Sequence, residues 1–180
     1  MKFTAEELLE IEKQLSFPEG ESGLKIAENM NESNIHMTIS AIDSLDIANG
    51  NVLLEIGHGN CGHLNKIFDI TKNIKYTGLE ISDTLKNEAE RMNHELVKDE
   101  IYIILRVYGV FVLAFAQKEF MKKLPFVKNK FRLYNHEDVN NLVNQTNFRI
   151  TEFIDKKDIV KSKSGDVVER EYTVVKMLKS

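Results

Sequence analysis

The clearest feature of the hydropathy pattern is a short apolar run, Val52, Leu53, Leu54 and Ile56, interrupted by one acid, Glu55. A glycine-rich turn follows, and then Leu64, Ile67 and Phe68 recur at helical spacing. A run of that length, apolar on both faces, is the pattern of a strand buried in a parallel sheet. Strand, tight turn and helix together make the first crossover of an open α/β sheet, whose ligand crevice lies at the carboxyl ends of the strands. A second apolar run over residues 74–81 contains Glu80, and a third, Val110–Ala116, is unbroken. The third run is the best match in the chain to a further buried parallel strand.

The flanks read as helices and a closing hairpin. Thr4 and Glu7 form a capping box ahead of Leu8, Leu9, Ile11 and Leu15, predicting an amphipathic helix that stops before Phe17 and Pro18. Pro18, Gly20 and Gly23 predict a bend, with a second helix over 24–30 and a third over 34–47 that carries Ile35, Ile39, Ile42 and Leu45 on one face. Asn49, Gly50 and Asn51 signal a turn into the first strand. Residues 1–48 therefore read as an N-terminal helical segment, either a packing cap over the sheet edge or a lid over the crevice, and residues 49–180 as the α/β domain itself. Ser82 and Asp83 cap a helix that runs to about residue 98. Residues 101–107 have the β-branched and aromatic content of a strand. A helix is the reading adopted, because Gly109 then serves as its ending glycine. Asn135 and Asp138 open a helix that ends near Asn147; residues 148–154 and 169–178 alternate around Ser164, Gly165 and Asp166, the pattern of an antiparallel pair.

Composition narrows the function classes. In 180 residues, 24 basic and 28 acidic side chains leave a net charge of −4 and a pI near 5.8. That balance offers no general electrostatic footprint for nucleic acid. Between residues 118 and 132, lysines interleave with Phe120, Phe126 and Phe131, but the run is short and reads as a solvated face. The phenylalanines either pack or line an apolar pocket. One cysteine rules out an internal disulfide framework. With no membrane-length apolar stretch and no apolar core near Met1, a cytoplasmic protein is expected. His58 and His63 flank the glycine turn with a lone cysteine between them, a spacing that predicts no metal site.

The candidate chemistry lies at the strand ends. Gly57, Gly59 and Gly62 have the spacing of a dinucleotide fingerprint, a weak signal alone. Glu55 would repel a pyrophosphate there; it suits a ligand with positive charge, such as an amino acid ammonium near a sulfonium. Glu80, at the next strand end, can accept hydrogen bonds from ribose hydroxyls. A ribose joined to a cationic amino acid is the outline of S-adenosylmethionine. At these residues the chain resembles the class I S-adenosylmethionine-dependent methyltransferases. Leu54, Glu55, Ile56, Gly57, His58 and Gly59 are similar to the family's first motif, and Gly78, Leu79, Glu80, Ile81 and Ser82 to its second acidic strand end. The segment from Gln14 through Pro18, Gly20, Ala27, Met30, Asn31 and Asn34 resembles the amino-terminal lid of some bacterial members.

The resemblance implies a Rossmann-like α/β fold, an open and mostly parallel sheet with an antiparallel C-terminal hairpin. It also implies cofactor contacts at Glu55, Gly57, His58, Gly59, Glu80, Ile81, Met30 and Asn34, and a small-molecule methyl acceptor. Two departures stand out. Cys61 holds the place of the usual third glycine, and the interval 83–109 is too short for the family's third and fourth strands, since one strand–helix–strand unit takes about 30 residues. With those strands gone, Val112 is expected to pair with Leu53 and Leu54. The order is then second, first, fifth, seventh, sixth, with three parallel strands. No general base is named by the sequence. A second reading is a degenerate relative acting as a binding or interaction module, its exposed sheet covered by a partner such as a second copy. A nicotinamide-dependent oxidoreductase is a third, opposed by Glu55.

Overall fold

The computed structural model describes residues 3–96, 109–127, 131–161 and 167–179. The chain divides into two compact units. One comprises Met1–Leu9, His36–Leu45 and Leu105–Ser180, and the other Glu10–Ile35 and Asp46–Ile104.

The second of these holds the glycine turn. Helix α1 (Ala5–Ser16) is opened by the expected capping box, Glu7 N–H donating to Thr4 Oγ1 at 3.2 Å and Thr4 N–H to Glu7 Oε2 at 2.7 Å. Helix α2 runs unbroken over Gly20–Asp43, where two helices were expected. Residues 31–33, Asn-Glu-Ser, contain neither proline nor glycine, so nothing interrupts the backbone ladder between the two apolar stretches. Strand β1 (Val52–Ile56) leads through the glycine turn to α3 (Leu64–Ile70), and β2 (Lys75–Leu79) to α4 (Asp83–Met92). The two strands pair in parallel, Leu53 opposite Tyr76 and Glu55 opposite Gly78. Ser82 caps α4 by accepting from Leu85 N–H at 3.2 Å. The helix ends earlier than expected because the Asn93 side chain turns aside to donate to Ala89 O and to Cys61 O. Ile26, Ala27, Leu64, Ile67, Leu85 and Ala89 are buried within this unit.

The other unit is an antiparallel sheet with a helix on it. Strand β3 (Val110–Ala116) spans the third apolar run; after α5 (Lys118–Met121) and α6 (His136–Val143), β4 (Phe148–Lys161) and β5 (Val167–Lys179) form the long hairpin. The order is β3-β5-β4, with β5 in the middle, hydrogen-bonded on both edges and buried from Tyr172 to Val175. Val139 on α6 packs on Val175 and Met177, and Phe111, Phe115, Tyr134, Phe148 and Phe153 close round them. Asn135 caps α6 in a reciprocal box with Asp138.

The expected single sheet is corrected here. Among the described residues β1 pairs only with β2, and Val112 lies opposite Lys176 on β5, not beside Leu53 and Leu54. The third apolar run is therefore antiparallel to its neighbour, and two strands are parallel rather than three. The physical reason is local: β5 satisfies one edge of β3 over all of Val110–Ala116, and Phe111 and Phe115 bury themselves against the Val139 cluster. The order fifth, seventh, sixth does form. Between residues 83 and 109 the described residues hold only α4 and a following turn, with no strand. The segment 101–107 and the turn at Ser164, Gly165 and Asp166 lie outside the described residues. No described helix is long and apolar enough to cross a membrane.

Candidate functional site: the glycine turn and its carboxylates

The turn after β1 alternates in hand. Gly57 (φ +73°), Gly59 (φ +61°) and Cys61 (φ +53°) all take the left-handed conformation, which costs glycine nothing and strains a cysteine. Among the described residues other than its chain neighbours, no atom lies within 4 Å of where a side chain would start at Gly57 or at Gly59, so open space borders both. Gly57 N–H donates to Leu79 O at 2.7 Å, tying the turn to the end of β2.

Both acids flank this turn. Glu80 accepts Gly59 N–H on Oε2 (2.9 Å) and Ser82 N–H on Oε1 (3.0 Å). Each carboxylate oxygen has two lone-pair sites, so one on each remains for a further donor. Glu55 gathers its partners on a single oxygen: Tyr76 Oη donates to Oε2 at 2.6 Å, and His63 Nε2 lies 2.9 Å from the same atom. Oε1 has no partner among the described residues. Burial alone would raise the Glu55 carboxyl, but the His63 and Tyr76 bonds outweigh it and hold the group below its ordinary 4.5. Glu55 is thus ionised at neutral pH. Burial and the Glu55 charge push the Tyr76 phenol far upward, which keeps its proton in place. Cys61 Sγ sits 3.5 Å from Tyr76 Oη. Burial pushes that thiol up to about 11.

The remaining expected residues are placed as follows. His58 is buried, its ring over Gly78, and its Nδ1 has no hydrogen-bond partner among the described residues. Ile81 is 76% exposed, next to Glu80. Met30 and Asn34 lie one turn apart on α2, on one face of that helix. The residue of α2 that meets the turn is Asn31, whose amide donates to Asn60 Oδ1 at 2.5 Å; Asn60 Oδ1 also accepts Gly62 N–H. Glu55, Gly57, His58, Gly59 and Glu80 are therefore gathered at one place. His63 and Tyr76 were not among the residues anticipated there. Tyr76 could have been found from strand periodicity, since pairing with Leu53 puts it diagonally across from Glu55 on the same face.

No protein-family model matches the chain, and neither does any curated protein. Solved structures do. The YcgJ protein of Bacillus subtilis superposes with a TM-score of 0.55 at 11% identity, over 81% of this chain and 98% of that one. A S-adenosylmethionine-dependent methyltransferase from Anabaena variabilis gives 0.54 at 11%, over 84% and 86%. Geranyl diphosphate C-methyltransferase from Streptomyces coelicolor, solved with S-adenosyl-L-homocysteine, gives 0.55 at 11%, over 90% and 86%. The fold is that of the class I S-adenosylmethionine-dependent methyltransferases.

Two carboxylates and the open space at Gly57 and Gly59 make the turn after β1 the place to ask what ligand fits. An ionised carboxylate with a bare oxygen suits an ammonium, open space beside two glycines admits a backbone-close ligand, and Glu80 retains capacity for hydroxyl donors. The unpartnered His58 Nδ1 is a further polar group at the same turn. These residues fit the amino acid and ribose ends of a S-adenosylmethionine molecule.

A second carboxylate cluster lies in the antiparallel unit. Asp155 Oδ1 accepts from Thr173 Oγ1 (2.6 Å) and Gln117 Nε2 (3.1 Å) and lies 2.9 Å from His136 Nε2. The His136 ring stacks on Phe153 at 4.3 Å. Burial works to raise the Asp155 carboxyl, but the Thr173 and His136 bonds prevail and lower it. Gln117, Asp155, Lys156, Lys157 and Glu171 border a shallow depression of about 390 Å³. No group of three or more potential metal ligands occurs among the described residues.

Proposed function

We propose that the chain is a S-adenosylmethionine-dependent methyltransferase acting on a small-molecule acceptor. The observation that carries this reading is the ionised Glu55 carboxylate with one bare oxygen, standing beside two open left-handed glycines at the end of β1. Glu55 would hold the ammonium of the amino acid end, and Gly57 and Gly59 would let the backbone approach it. Glu80 would accept from the ribose, and Ile81, Met30 and Asn34 would border the ligand. When bound, the cofactor supplies an activated methyl group; the residues named here orient it, and alignment supplies much of the rate in such transfers. The neighbours solved with S-adenosyl-L-homocysteine or sinefungin support the choice of cofactor.

Calorimetry with S-adenosylhomocysteine tests this reading. The wild type is expected to bind and Glu80→Ala to bind more weakly; equal binding by the two would remove Glu80 from the site. Mass spectrometry of the purified protein would look for cofactor carried through purification. A nicotinamide cofactor is disfavoured by the charge on Glu55, and absence of a melting shift with NAD would agree. A degenerate binding module is the second reading. It is favoured by the exposed apolar ends of β1 and β2, where Ile56 is 70% exposed and Leu79 48%, surface that a second copy of the chain could cover. Methyl transfer by a sedimenting monomer would exclude it.

A further inference from the structure

We propose that His63 and Tyr76 are positioning residues for Glu55, and that through it they make the site selective for ligands carrying an α-ammonium group. The inference rests on the methyltransferase reading above and deepens it. Both donors meet the same atom, Glu55 Oε2, at 2.9 and 2.6 Å, and leave Oε1 without a partner among the described residues. A carboxylate on a strand residue turns readily about its last torsion. Two donors from different directions fix that torsion and present the bare oxygen in one orientation. The ordering cost is thus met before a ligand arrives.

The direction of each hydrogen bond follows from its neighbour. An ionised Glu55 can only accept, so His63 Nε2 carries a proton and the Tyr76 hydroxyl gives its single hydrogen to Oε2. The Tyr76 oxygen is then free to accept from Cys61 Sγ, 3.5 Å away. Cys61 on the turn, Tyr76 on β2 and Glu55 on β1 form one line of donors ending at the carboxylate. Gly78, opposite Glu55 in the sheet, contributes no side chain to that face. A ligand with an ammonium gains the ordered charge; a ligand lacking one gains nothing from the arrangement.

The test compares two probes by calorimetry: S-adenosylhomocysteine, and 5′-methylthioadenosine, which keeps the nucleoside and thioether but has no amino acid. Tyr76→Phe and His63→Ala are expected to weaken S-adenosylhomocysteine about tenfold, the effect of losing a charge-assisted hydrogen bond, and to leave methylthioadenosine within about twofold. His63→Gln, whose amide can still donate to Oε2, should recover most of the loss. A purely structural role would lower both ligands alike, or lower the number of binding sites, because a misfolded fraction removes sites for each. Loss of affinity for both in equal measure, or no loss, overturns the inference while leaving the cofactor reading intact. If the wild type binds neither probe, the cofactor reading falls and this inference with it. Should Tyr76→Phe fail to fold, the two His63 variants carry the same comparison.

Discussion

Glu55 and Asp155 each collect an imidazole and a hydroxyl on a single carboxylate oxygen, yet they stand in different surroundings. The Glu55 and His63 side chains are 30% and 10% exposed, against 51% and 42% for Asp155 and His136. Around Glu55 the donors replace water that burial has removed. Around Asp155 they compete with water that is still present. Their origin differs too. Asp155 and Thr173 are direct cross-strand neighbours in the hairpin, a pairing any antiparallel sheet can offer. Glu55 meets His63 only because the glycine turn brings the chain back over the strand end. The same set of groups is thus a solvated cluster on one sheet and a part-buried one at the end of the other.

The upper limit for losing a carboxylate's partner is set by a third acid, Asp158. It is paired with Arg170 at 2.6 Å with both side chains less than a tenth exposed. Arg170→Met would leave that charge buried and uncompensated, a loss of about 3–5 kcal/mol in urea denaturation. A loss under about 1 kcal/mol would undo the view that burial sets the scale.

Cys61 reports how well water is excluded beside Glu55. It is 4% exposed and its thiol is pushed up to about 11. Reaction with a disulfide reagent at pH 8 should be about a hundredfold slower in the native protein than in urea, following the thiolate fraction. Equal rates would mean that the turn opens freely, and the contrast between the two sites would vanish.

The comparison itself is measured by Tyr76→Phe and Thr173→Val. Tyr76→Phe removes a donor from a part-buried charge and should cost about 1.5–3 kcal/mol. Thr173→Val should cost about 1 kcal/mol or less, because His136, Gln117 and solvent remain to Asp155. The reverse order would break the argument.

Acid denaturation gives the smallest effect. Both carboxyls are held below their ordinary values, 4.5 for Glu55 and 3.8 for Asp155, so each adds stability above that value and loses it as pH falls through its lowered one. Stability should therefore be flat near neutrality and decline below about pH 4.5. Glu55→Gln and Asp155→Asn should each flatten that decline, in urea midpoints taken across the acid range.

Several elements could be read from the residues alone, for reasons that are local. The apolar runs at Val52–Ile56 and Val110–Ala116 coincide with β1 and β3, and the Asn135–Asp138 box marks the start of α6. What could not be read was which partners those strands choose. An apolar run says that a strand is buried; it does not say by what. β3 found its cover in Phe148, Tyr134 and α6, and its hydrogen bonds on β5. The acids and glycines at the end of β1 stood out in the sequence because an acid is unusual in an apolar strand, and the fold gathers Glu55, Gly57, Gly59 and Glu80 at one turn. His63 and Tyr76 were not, since each reaches Glu55 only once the turn and the strand register exist.

The ring of His58 lies where a methyl group on Gly78 would have to go, and Gly78 is the residue facing Glu55 across the sheet. The two positions are consequently not free to drift one at a time. An alanine at 78 is admissible only after 58 has become smaller, and a small residue at 58 alone leaves a hole over the strand. In a lineage of such chains they would change together or stay as they are, and the double variant would be closer to the parent than the sum of its parts.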